Sequence, residues 1–117
     1  MNEIQDCIFC RIAARQALAH IVYEDGLFIA IEDIDPQAPV HILVMPKKHI
    51  PEIQYVTQED KELIKRWFWV AVQIAADRGL DKTGYRTVIN NGDGGGQTVR
   101  HIHIHLLSGR PFVWPPG

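Results

Sequence analysis

The chain is poor in cysteine, in net charge and in long apolar runs, and each shortage removes a class of protein. Two cysteines in 117 residues cannot build a disulfide framework, so the fold has to rest on an apolar core, which a chain of this length can bury. Their spacing, Cys7-Ile8-Phe9-Cys10, suits a metal half-site or a redox pair in a reducing compartment more than a structural cross-link. A formal charge of -2 argues against a surface that wraps nucleic acid. No apolar run approaches the roughly 20 residues that span a bilayer. The first residues, Met1-Asn2-Glu3-Ile4-Gln5-Asp6, are acidic and lack the basic and apolar regions of a secretion signal. The expectation is one cytoplasmic domain, residues 1–117, that binds neither nucleic acid nor membrane.

What the chain does hold is histidine in register. Three of its six histidines fall at His101, His103 and His105, with Ile102, Ile104 and Leu106 between and after them. Alternation of period two predicts a strand over 101–107, imidazoles on one face and apolar side chains on the other. The apolar face packs on a core, which leaves the imidazoles free for chemistry. Alternate residues of a strand stand roughly 6.6 Å apart, so all three imidazoles will not easily share one ion, although a pair could. His103, with a neighbour on each side, is the best placed to act on a substrate.

The rest of the chain supplies a frame. Residues 7–16 predict a short helix, and 20–24 and 27–31 predict strands joined at Asp25-Gly26, a two-residue hairpin signal. A proline-punctuated loop over 33–39 leads to a mostly apolar strand, 41–45, that Pro46 ends. Thr57 followed by Glu59 and Asp60 predicts a helix start. Leu63, Ile64, Trp67, Val70, Ala71, Ile74 and Ala75 then continue at helical spacing to about Arg78, and Gly79 ends the helix. A strand over 85–90, a glycine-rich loop over 91–97 and the histidine strand follow. From Gly109 onward, three prolines exclude regular structure. The pattern predicts an α+β fold whose sheet is covered on one face by the long helix. Trp67, Phe68 and Trp69 are consecutive and cannot all face one core, so at least one is expected at the surface or against a partner subunit.

His-x-His-x-His followed by two apolar residues resembles the signature of the histidine triad (HIT) family of nucleotide hydrolases and transferases. So do Cys7-Ile8-Phe9-Cys10-Arg11-Ile12, Asp33-Ile34-Asp35-Pro36-Gln37-Ala38-Pro39-Val40-His41 and Met45-Pro46-Lys47-Lys48-His49. Asn90, Gly95-Gly96-Gln97-Thr98-Val99 and the closing Trp114-Pro115-Pro116-Gly117 extend the likeness over nearly the whole chain, and the tail points to the Hint branch. The resemblance implies a five-stranded antiparallel sheet with one long and one short helix, continued across a homodimer. It implies a purine nucleoside phosphoramidate hydrolase that works through a nucleotidyl-histidine. His103 is the implied nucleophile, with His105, His41 and His101 as the other catalytic histidines.

The implied chemistry suits these residue types. A neutral imidazole nitrogen escapes the repulsion that an anionic nucleophile meets at a phosphate. Its other nitrogen needs an acceptor to fix the tautomer, and a main-chain carbonyl of the same strand or a neighbouring loop can serve. His105 and His41 are expected to bond phosphate oxygens or pass a proton to the leaving group. Gly96, Gln97 and Thr98 offer amides and a hydroxyl to an anion, and Asn90 matches a family position near the phosphate. Asp33 can accept from ribose hydroxyls. Phe9, Ile12, Ile31 and Ile34 are candidates for an apolar purine slot, with ordinary core as the competing role. Trp114 resembles the family residue that reaches the partner's site; as a bare residue it is equally a packing anchor.

Cys7, Cys10, His49 and His101 together make a full tetrahedral zinc set. Some HIT branches are similar in carrying zinc at these positions. Such a site would be structural and would pin the N-terminal helix to the sheet, with two buried metal-free thiols as the alternative. Three further functions use the same motifs: dinucleoside polyphosphate hydrolysis, nucleotide binding as a scaffold, and catalysis by a metal on His-x-His.

Overall fold

A computed structural model describes residues 3–117; the first two residues of the acidic N-terminal stretch lie outside the described part. Five strands form one antiparallel sheet: β1 (Ile21–Glu24), β2 (Phe28–Glu32), β3 (Val40–Pro46), β4 (Arg86–Val88) and β5 (Ile104–Ser108), in the spatial order β1-β2-β3-β5-β4. The helices are α1 (Glu3–Asp6), α2 (Ile8–Ala13) and the long α3 (Lys61–Asp77). This is the expected α+β fold, with α1 as an additional single turn.

Alternation along the strands divides the core in two. Ile42 and Val44 of β3, Phe28 and Ala30 of β2, and Ile102, Ile104 and Leu106 pack against Trp67, Val70, Ala71 and Ile74 of α3. Leu43 and Met45 of β3 and Ile29 and Ile31 of β2 point the other way and meet Phe9 and Ile12 of α2. The sheet is therefore covered on both faces, not one. The short helix carries enough apolar surface, in Phe9 and Ile12, to bury a second patch. The burial of β2 and β3 on both faces follows.

Local chemistry sets the element ends. The hairpin between β1 and β2 closes through residues 25–27, one more than expected, because the Asp25 carboxylate accepts the N–H groups of Leu27 and Phe28, each at 2.8 Å. The start predicted at Thr57 is a 3-10 turn, Gln58–Asp60, ahead of α3. There the Asp60 carboxylate accepts from the Thr57 N–H at 3.0 Å and from Lys48 Nζ at 2.5 Å. These contacts, the lysine first, hold its carboxyl below the usual range. Gly79 ends the helix in the left-handed region, at φ 71. On α3, Trp67 is buried and donates its indole N–H to the Val44 carbonyl at 2.9 Å, whereas Phe68 and Trp69 are about three-fifths exposed, at 59% and 60%.

Candidate active site and metal cluster

The histidine stretch is regular only from Ile104; His101 lies in a bend, and Ile102 and His103 lead into β5 outside the ladder. Its phase is nevertheless that of a strand. The Ile102 N–H donates to the Ile50 carbonyl at 2.8 Å, and Ile104 pairs with Val44. Ile102, Ile104 and Leu106 fall on the α3 side, and the imidazoles on the α2 side. They are less open than the alternation alone suggests, because α2 lies over them: His101 and His103 are 1% and 4% exposed. The Phe9 ring stands edge-on to both, with centroids 5.8 and 5.1 Å away.

The hydrogen bonds around His103 fix its tautomer. Its Nδ1 lies 2.7 Å from the His101 carbonyl oxygen. A carbonyl can only accept, so Nδ1 carries the proton and Nε2 carries the lone pair. Burial lowers its pKa and outweighs the carbonyl bond, which keeps the ring neutral at pH 7.

His41 and His105 form a relay beside it. The Gln37 backbone N–H donates to His41 Nδ1 at 3.0 Å, so the neutral His41 ring holds its proton on Nε2. That nitrogen is 2.9 Å from His105 Nδ1 and 3.5 Å from Asp33 Oδ2. His105 then accepts at Nδ1 and presents Nε2–H as a donor. Burial lowers the pKa of His41. Burial first, then the neighbouring His103 and His41, brings His105 down to about 4. The His103 and His105 rings are 5.0 Å apart.

A second cluster lies on the other side of Phe9. One sulfur or ring nitrogen from each of Cys7, Cys10, His49 and His101 falls within a common span of 4.8 Å. His101 Nδ1 is 3.3 Å from Cys7 Sγ, 3.5 Å from Cys10 Sγ and 3.3 Å from His49 Nδ1, and Cys10 Sγ is 3.3 Å from His49 Nδ1. A tetrahedral zinc with ordinary bond lengths would set its nitrogens about 3.3 Å apart and its sulfur and nitrogen about 3.6 Å apart. The four donors fit that shape. His101 Nε2 donates to the Pro46 carbonyl at 2.7 Å, which frees the Nδ1 lone pair for a cation. Without a cation, burial and the adjoining Cys7 raise the Cys10 thiol to about 12. Burial also lowers His101 to about 4.

The remaining expected residues separate. The Gln97 side chain is buried and engaged from its own loop and from Pro51: Nε2 donates to the carbonyls of Pro51 and Val99, and Oε1 accepts from the Gly92 N–H and Arg100. Asn90 Nδ2 donates to the Gly95 carbonyl at 2.8 Å. Both side chains shape the glycine loop, in which Gly96 takes the left-handed conformation at φ 78. Thr98 is exposed. Asp33 accepts the Asp35 N–H at Oδ1, at 2.8 Å, and turns Oδ2 toward His41. Phe9, Ile12 and Ile31 are core residues of the α2 side, but Ile34 is 97% exposed and stands apart from them; Trp114 is 84% exposed. The groups with no mark in the sequence are backbone atoms: the carbonyls of His101 and Pro46 and the amide of Gln37. Only the likelihood of a carbonyl partner for His103 could be inferred from its strand.

Comparison with known proteins agrees with this geometry. The model of the HIT domain family matches residues 14–112. An uncharacterized HIT-like protein of Synechocystis is 50% identical over 113 residues, 97% of this chain and 98% of that one. The crystal structure of a HIT family hydrolase from Legionella pneumophila superposes with a TM-score of 0.92 at 49% identity, covering 95% of this chain and 99% of that one. A histidine triad protein from Clostridium difficile gives 0.88 at 40% identity, with 92% and 94% covered. The chain belongs to the HIT domain family.

Proposed function

We propose that the protein is a purine nucleoside phosphoramidate hydrolase of the Hint branch. The observation that carries the reading is the His103 ring, neutral and bonded through Nδ1 to the His101 carbonyl, with Nε2 free of hydrogen bonds among the described residues and not sealed off from the surface. In the proposed reaction Nε2 attacks phosphorus, the P–N bond breaks, and the amine leaves with a proton passed from the His105 side. Water then cleaves the nucleotidyl-histidine and releases the nucleoside monophosphate. His105 Nε2–H and the glycine-loop amides would hold the phosphate oxygens, and Asp33 Oδ2 would take the ribose hydroxyls. The Trp114-Pro115-Pro116-Gly117 tail supports the Hint branch over dinucleoside polyphosphate hydrolysis.

Zinc is the ion we assign to Cys7, Cys10, His49 and His101, on the match of donor spacing and donor type. When bound it supplies no reacting group and braces α2 against the approach to β5. A homodimer is the proposed assembly. It is supported by β4, an edge strand paired only with β5, and by exposed Phe68 and Trp69 on α3. Among the described residues no helix is long and apolar enough to cross a membrane; a cytoplasmic setting, where thiols stay reduced, is the proposed location.

Turnover of a fluorogenic adenosine phosphoramidate, run beside a dinucleoside polyphosphate, tests the reading, with metal content measured on the same sample. Preferential cleavage of the P–N substrate is expected. Preference for the polyphosphate, or a nucleotidyl adduct trapped on any residue but His103, overturns it.

A further inference from the structure

We propose that Cys7 and Cys10 are a redox switch: a hydroperoxide joins their sulfurs as a disulfide, which dismantles the four-donor set and loosens the wall beside His103. The proposal rests on reading the cluster as a metal site and extends it to regulation.

Placement comes first. Cys7 is the N-cap of α2, in extended conformation at φ -87 and ψ 117, and its Sγ accepts the Cys10 N–H at 3.4 Å. Both sulfurs thus sit at one helix N-terminus, one turn apart, in a group whose donor atoms lie within 4.8 Å of one another. Cysteines that ligate a metal do so as thiolates, the form that attacks a peroxide, and a pair this close can join as a disulfide and reopen.

Access comes second. Cys7 and His49 line a cavity of about 830 Å³ whose other walls include Ile8, Pro51, Tyr55 and Val99. A small peroxide can reach Cys7 from that side, which makes Cys7 the sulfur attacked first and Cys10 the one that resolves it.

Coupling to the active site comes third. Phe9 lies between the two cysteines, and its ring edges both His101 and His103. His101 belongs to both sites: its Nδ1 faces the sulfurs, and its carbonyl fixes His103. Closing the disulfide takes two donors from the imidazoles and repositions the first turn of α2, which carries Phe9.

The chemistry balances. One thiolate attacks a peroxide oxygen, the O–O bond breaks, and hydroxide or alkoxide leaves, giving a sulfenic acid. The second thiolate attacks that sulfur, the S–O bond breaks, and hydroxide leaves. Each sulfur gives up one electron, and the peroxide takes both.

The test uses the full chain as purified with its metal. Hydrogen peroxide is added while a chromogenic chelator reads freed metal, intact mass reads the cysteines, and phosphoramidate turnover reads the site. The expected result is metal release in step with the loss of two hydrogens and a fall in kcat/KM of at least about tenfold, all reversed by dithiothreitol and added metal. Thiols that stay reduced or pass to sulfinic acids, or a disulfide that leaves turnover unchanged, overturn the proposal. A preparation with no metal to release refutes the metal reading, yet mass and turnover still decide the switch. In a preparation without turnover, a shift of the Phe9 and His103 ring resonances on disulfide formation supports the proposal, and unchanged resonances overturn it.

Discussion

The two histidine clusters are built from the same side chain and flank the same phenylalanine, yet they are wired for opposite tasks. In the cluster with the cysteines, the Pro46 carbonyl occupies His101 Nε2, so Nδ1 turns inward to join other donors. In the proposed catalytic group, the His101 carbonyl occupies Nδ1 of His103, and the Gln37 amide occupies Nδ1 of His41. What remains there is a lone pair on one ring and a proton relay through the other two. The difference lies in which ring nitrogen a backbone group claims. A histidine's task is therefore assigned by main-chain geometry as much as by its neighbours.

The sharpest way to break the comparison is His103→Ala. Turnover of an adenosine phosphoramidate should fall by at least about 10⁴-fold, as when a covalent nucleophile is removed, while nucleotide binding by calorimetry and metal content stay near wild type. Equal loss of metal would mean the two clusters are one site. Chelation is the converse experiment. Removing a tightly held ion should cost about 4 kcal/mol of stability if the free ion stands near a thousandfold above its Kd, read as a drop in Tm on the order of 10 °C. An unchanged Tm would strip the cysteine cluster of its structural role.

A subtler probe removes a single proton. Gln37→Pro deletes the N–H that fixes His41, and kcat should fall about tenfold; Gln37→Ala keeps the N–H and should stay near wild type. If both variants behave alike, the relay does not run through that amide. The smallest effect is on acid stability of the metal-free chain. His101 and His105 titrate in the fold near 4, below the ordinary 6.5, so the unfolded chain binds more protons between those values. Their contribution is complete above about pH 6.5 and is lost as pH falls toward 4. Thermal unfolding across that window should show a decline that His105→Asn makes shallower.

Much of this was legible from residue order. The alternation around His103 gave the correct faces because a strand has period two, and the spacing of Trp67, Val70, Ala71 and Ile74 gave α3. Cys7, Cys10, His49 and His101 could be grouped by donor type before their positions in space were known. Three things were not legible. The coverage of the second sheet face depends on where a six-residue helix, α2, docks, which no periodicity encodes. Gln97 carries a family position, yet its side chain is taken up by loop backbone. The groups that set the tautomers of His101, His103 and His41 are carbonyls and an amide, which no letter distinguishes.

The approach to β5 has no idle side: oil-facing isoleucines alternate with working imidazoles, pinned in phase by Ile102 on Ile50 and Ile104 on Val44. Deleting or inserting one residue within 101–107 would trade the two sets, burying imidazoles under the long helix and offering leucine to the phosphate. Around this strand, a length change preserves the two faces only when it falls upstream of His101, before the register of β5 begins.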